Sequence, residues 1–89
     1  MAKKLVYNYT FTPGAAGVGT LEITGNYPLK VFQLITNVTD GIIIFNFADP
    51  AKGGSTSYDS ETDKTTLTLD HDTSAMAADD AIQIFIDLQ

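Results

Sequence analysis

Asp70-His71-Asp72 is the one place in this 89-residue chain where an imidazole and two carboxylates stand side by side. Imidazole and carboxylate ligate zinc, and paired carboxylates suit calcium. The triplet ends an alternating stretch in which Leu67 and Leu69 oppose Thr66 and Thr68. Neighbours on a strand point to opposite faces, so Asp70 and Asp72 can converge while His71 turns away. That leaves an incomplete ligand set, which Asp79 and Asp80 would have to finish by folding back; a solvated strand end is the simpler reading, and no bound metal is expected.

Two other runs invite a chemical reading and give it up. Asp59-Ser60-Glu61-Thr62-Asp63 has acids at alternate positions like the start of a calcium loop, but Lys64 stands where that loop needs glycine, so it reads as a hairpin turn. Gly14-Ala15-Ala16-Gly17-Val18-Gly19 is glycine-rich, yet a phosphate cradle requires a helix start or a P-loop lysine, and Thr20-Leu21-Glu22-Ile23 follows instead. It reads as a flexible hairpin tip whose glycines let a neighbouring subunit's backbone approach.

The chain has one histidine, no cysteine and no arginine, and most of its acids fall in turns where water keeps them ordinary. Nucleophilic and acid–base roles are therefore unfilled, and neither an enzyme nor a cofactor is expected. Tyr7, Tyr9, Tyr27 and Tyr58 suit stacking on sugars, which keeps a glycan-binding module as an alternative. Without tryptophan, however, they read more simply as core or sheet-edge residues.

The formal charge of −6 opposes binding to nucleic acid or to an acidic membrane surface. Hydrophobic residues at 44% against 18% charged describe a folding chain rather than a disordered one. The absence of cysteine removes a disulfide framework and suits assembly in a reducing cytoplasm. No export signal is read at the N-terminus, where Tyr7-Asn8-Tyr9-Thr10 interrupts the apolar start. No apolar run exceeds the four residues of Ile42 to Phe45, far short of the ~20 residues that span a bilayer.

Strand signals dominate the rest. Leu5, Tyr7, Tyr9 and Phe11 alternate with Val6, Asn8, Thr10 and Thr12 as one strand, which Pro13-Gly14 stops. Leu21 and Ile23 mark a second and Leu29 to Asn37 a third, and Asp40-Gly41 turns into Ile42-Ile43-Ile44-Phe45. This run is apolar on both faces, as expected of a central strand or of one that a partner molecule covers. Ser55 to Tyr58 pairs with Lys64 to Leu69, and Ala81 to Leu88 alternates as the last strand. Between them Thr73 to Asp80 has room for a single helical turn capped by Thr73 or Ser74, with Met76 as a buried plug. The expectation is one all-β domain over 1–89 with a flexible segment 1–4, an immunoglobulin-like β-sandwich of about seven antiparallel strands.

The stretch Leu34-Ile35-Thr36-Asn37-Val38-Thr39-Asp40-Gly41 through Asn46-Phe47-Ala48-Asp49-Pro50, continued by Gly53-Gly54, Tyr58-Asp59-Ser60, Thr65-Thr66-Leu67-Thr68-Leu69 and Ile82-Gln83-Ile84-Phe85, resembles small virion structural proteins of tailed bacteriophages. The resemblance spans roughly residues 30 to 87 and is a scaffold pattern with no catalytic or ligand residues to carry over. It implies a structural component of the virion, assembled in the host cytoplasm. Such a component is either a capsid decoration or cement protein that stabilises the major capsid protein lattice, or a neck, tail or baseplate adaptor. A glycan-binding module on a host-attachment device is the remaining alternative. Its partners would be other virion proteins and copies of itself, with no nucleic acid and no membrane. Ala2, Lys3, Lys4 and the loop Gly14, Ala15, Ala16, Gly17, Val18 and Gly19 are the expected contact elements, because termini and glycine-rich tips can order on binding.

Overall fold

The computed structural model describes residues 2–14 and 16–88. Eight strands form two four-stranded antiparallel sheets packed face to face. They are β1 (Ala2–Val6), β2 (Tyr9–Thr12), β3 (Val18–Thr24), β4 (Phe32–Asn37), β5 (Ile42–Asn46), β6 (Gly54–Asp59), β7 (Lys64–Asp72) and β8 (Ile82–Leu88). One sheet runs β1-β8-β4-β5 and the other β2-β3-β7-β6. The all-β sandwich expected from the strand alternation is what the chain adopts.

The core is made by the inward positions of both sheets. Leu21 and Ile23 of β3, Leu67 and Leu69 of β7, Ile35 of β4 and Ile82, Ile84 and Ile86 of β8 are all buried, with Phe11, Phe32 and Phe45 filling the wider gaps. Phe32 sits edge-on to both Tyr27 and Phe45, at centroid separations of 6.4 and 6.3 Å, the arrangement that ring quadrupoles favour. Met76 packs against this core from the crossover between β7 and β8, as its expected role as a plug requires.

Four local expectations change. The single strand read from Leu5 to Thr12 is broken at Tyr7-Asn8, so that β1 joins one sheet and β2 the other. This raises the strand number to eight. Segment 1–4 is expected to be flexible; Met1 lies outside the described residues, and Ala2 to Lys4 fall within β1, which pairs with β8 in register Ala2↔Leu88 to Val6↔Ile84. The strand expected from Leu29 starts only at Phe32, because Pro28 leads into a 3-10 turn over Leu29–Val31. Thr73 to Asp80 forms turns rather than a helical turn. A second 3-10 turn, Pro50–Lys52, is capped by the Asp49 side chain accepting from Ala51 N, the bond that favours aspartate at this position.

The turns follow their chemistry. Gly41 (φ +71°) completes the β4–β5 connection, and Asp63 (φ +54°) takes the left-handed position in the β6–β7 turn. Gly54 is needed for another reason: a Cβ there would lie 2.5 Å from the Thr68 carbonyl oxygen of the paired strand and 3.3 Å from Leu67 Cδ1. A backbone oxygen cannot swing aside as a side chain can. Gly54→Ala is therefore expected to cost about 1–3 kcal/mol by overpacking, read as a lower urea midpoint at unchanged slope.

Candidate interaction surface

The two outer faces of the sandwich differ in chemistry. On the β2-β3-β7-β6 sheet, register aligns Thr12, Thr20, Thr68 and Ser55 in one row and Thr10, Glu22, Thr66 and Ser57 in the next. One exposed ion pair, Lys64 Nζ to Glu22 Oε1 at 3.2 Å, lies on this face. Hydroxyls and a solvated ion pair suit a face left in water.

On the β1-β8-β4-β5 sheet, Leu5 stands opposite Phe85, and Phe85 opposite Leu34. These three half-buried side chains make an apolar row across three strands, on the face opposite to the fully buried Ile35 and Ile84. The next row, Gln83, Thr36 and Ile43, adds an isoleucine that is 38% exposed. The bulge between Ile35 and Thr36 lets both Ile44 and Phe45 turn inward while Ile43 stays outside. The apolarity of β4 and β5 on both faces is thus resolved into a core side and an uncovered side. These residues were not singled out from the sequence; the signal was the double-faced run Ile42 to Phe45.

The sandwich is also open along the side where β5 and β6 are the two sheet edges. A cleft of about 590 Å3 lies there, floored by Phe32 and Phe45 and rimmed by Leu29, Phe47 and Pro50. Phe47 is 70% exposed. Lys52 Nζ reaches across to donate to the Ile43 carbonyl at 2.8 Å, blocking one free acceptor of the β5 edge, a common protection against unwanted strand pairing.

The residues expected to make contacts are distributed differently. Ala2, Lys3 and Lys4 belong to the edge strand β1. Gly14 and Gly17 (φ +74° and +84°) close a turn through Gly17 N donating to the Gly14 carbonyl at 3.1 Å. The turn is tied down, because Thr73 N donates to the Gly17 carbonyl and the Thr73 hydroxyl to the Pro13 carbonyl. Gly19 is buried against the Thr73 side chain, Gly14 and Gly17 are half-buried, and Ala16 and Val18 are exposed. Ala15 lies outside the described residues.

Asp70 and Asp72 are both exposed, and His71 is half-buried. Asp72 Oδ1 accepts from Ser74 N at 2.9 Å, and this backbone bond, with the Ser74 side chain next, holds its carboxyl below the usual aspartate value. Asp80 turns the other way, accepting from Asn37 Nδ2 at 2.9 Å and from Ala77 N at 3.1 Å. Among the described residues no three acidic or histidine side chains gather as a metal site. Tyr58 donates to Asp63 Oδ1 at 2.6 Å, and that bond, followed by desolvation and the charges of Asp63 and Asp59, raises its phenol. Tyr9 accepts from Ile82 N at 2.8 Å and packs with Tyr27 on the core. No family model, curated protein or solved structure matches the chain.

Proposed function

We propose that this chain is a structural protein of a tailed-bacteriophage particle, with an immunoglobulin-like arrangement of its two sheets. The outer face of the β1-β8-β4-β5 sheet docks on a neighbouring protein. The observation that carries the reading is the contrast between the two outer faces: a hydroxyl-rich face suited to water, and the apolar row of Leu5, Phe85 and Leu34. Covering such a row removes apolar surface from water, the main driving force of association. The layout favours an immunoglobulin-like description because β3 pairs with β2 and β7, β4 pairs with β5 and β8, and the chain crosses between sheets after β1, β3, β5 and β7.

The occupant we assign is the major capsid protein lattice, with the chain acting as a decoration or cement protein. Many weak copies together stabilise a shell by mass action. The net charge of −6 suits an outer position, away from packaged DNA.

The test is the double substitution Leu34→Asp and Phe85→Asp. Both side chains lie off the core, so the β-rich circular dichroism spectrum is expected to persist while incorporation into particles falls at least tenfold, about the effect of 1.4 kcal/mol. Normal incorporation of the folded variant overturns the docking face. Copy number in purified particles then separates the placements: hundreds mean decoration, and about a dozen or fewer mean a neck, tail or baseplate ring.

A second reading has its own observation. Tyr7 and Tyr9 border an open cleft that also includes Asp79 and Asp80, and tyrosine with carboxylate is a sugar-binding combination. Titration with host surface polysaccharide decides it: saturable binding lost in Tyr7→Ala supports a glycan module, and no binding removes it.

A further inference from the structure

We propose that β1 is an exchangeable strand, and that a second copy of this chain receives it on β8 by reciprocal swapping. The inference rests on the path of residues 2–12 and stands apart from the docking face proposed above.

Local sequence and tertiary structure disagree along this path. From Ala2 to Thr12 there is neither glycine nor proline, and Leu5, Tyr7, Tyr9 and Phe11 alternate without interruption. Such a segment prefers to be one straight strand. In the fold it is creased at Tyr7-Asn8 instead, so that β1 pairs with β8 in one sheet and β2 with β3 in the other. Local preference opposed by the global fold marks a place where an alternative arrangement gains ground.

The crease is short for its task. From Val6 to Tyr9 the chain takes three Cα steps, reaching at most about 11 Å. Stacked sheets lie about 10 Å apart. The connection has little slack to spare, and short hinges invite domain swapping. Both hinge residues are exposed, Tyr7 by 78%, so straightening them uncovers no core.

The strand is also separable. β1 pairs only with β8, and of its described side chains only Val6 packs against the core. In the exchanged form the same ladder is made between chains, so every pairing of the closed monomer is kept while residues 2–12 run on as one strand. The register carries its own specificity. Asp87 of β8 is 6% exposed, and the residue paired with it is Lys3. Opposite charges at paired positions fix a strand's register, and here they select this strand for β8 in whichever copy supplies it.

The experiment uses the full chain with cysteines at the paired positions Leu5 and Phe85. A chain carrying both Leu5→Cys and Phe85→Cys, oxidised at low concentration, tests whether the pair can bond. Chains carrying Leu5→Cys alone and Phe85→Cys alone are then mixed, unfolded, refolded together at roughly millimolar concentration, where intermolecular pairing competes with the intramolecular one, and oxidised. The expected product is the mixed disulfide dimer in excess over both like-with-like dimers. A random distribution of disulfides, or none, overturns the proposal if the double-cysteine chain closes its own bond.

A second variant does not depend on disulfide geometry. Deleting Tyr7 and Asn8 leaves one Cα step of about 3.8 Å, too short to join the two sheets within a chain. Light scattering on the folded variant should show a dimer at concentrations where the parent is at least ten times more monomeric, and insertion of Gly-Ser at the crease should return the monomer. A folded monomer after the deletion overturns the proposal. Should the deletion variant not fold, the parent refolded at millimolar concentration decides: dimer supports exchange, and monomer alone overturns it.

Discussion

Replacing Ile84 by alanine is expected to remove about 3–4 kcal/mol of stability, near the middle of the range for buried aliphatic truncations. Ile84 lies at the centre of β8, fully buried, paired with Val6 on one side and Ile35 on the other. Its side chain thus meets three strands of one sheet and the inner face of the other, and the surrounding β-ladder holds the backbone in place. A cavity left there cannot collapse. A domain of this size has roughly 5–13 kcal/mol in total, so the loss is a large share of it. Thermal unfolding should fall by about 12 °C or more, measured by calorimetry on the parent and the variant. A change below about 1 kcal/mol would show that the two sheets are not packed as described.

The second large effect is expected at Asn37. This side chain is fully buried and joins two connections: Nδ2 donates to Asp80 Oδ2 at 2.9 Å and more weakly to Asp40 Oδ2 at 3.4 Å, while Oδ1 accepts from Asp40 N at 3.0 Å. Val38 N to the Ala81 carbonyl and Ala81 N to Thr39 Oγ1 complete the corner. Asn37→Ala strands a carboxylate and a backbone N–H, and should cost about 2–4 kcal/mol. Asn37→Asp is more diagnostic. It places a third carboxylate between Asp40 and Asp80, and both charge repulsion and burial raise its folded pKa above the unfolded value. A raised carboxyl retains its full stability contribution below the unfolded pKa and loses it as pH rises through the folded pKa. The variant should therefore lie closest to the parent near pH 3 and fall progressively behind as pH rises to 7. A gap independent of pH would place this side chain outside the acidic corner.

Much of the architecture was readable because alternation is a local property. Leu67 and Leu69 against Thr66 and Thr68, and Ile82, Ile84 and Ile86 against Gln83 and Phe85, assign core and outer sides without knowledge of any partner strand. Asp40-Gly41 marked its turn for the same reason, since positive φ at Gly41 is a demand of one residue's backbone. Asn37 gave no such sign: its three bonds go to two residues, Asp40, three residues away, and Asp80, forty-three residues away. The loop at Gly14 to Gly19 reads locally as a free tip, and its tether is Thr73, brought by the end of β7.

The docking face shows the boundary most clearly. That Ile42 to Phe45 is apolar on both faces was visible from residue types alone. Which side is covered by the core, and that Leu5, Phe85 and Leu34 align on the other, depends on the bulge in β4–β5 and on strand neighbours far apart in the chain.

From its residues alone this chain is committed to strands, to a cysteine-free all-β domain, to a negative surface and to the positions of its turns, because each follows from side-chain type and near-neighbour spacing. Only the tertiary structure decided that residues 2–12 divide between two sheets. A continuous strand satisfies local preference along that segment, but the unpaired edges of β8 and β3 lie in different layers and each takes half of it.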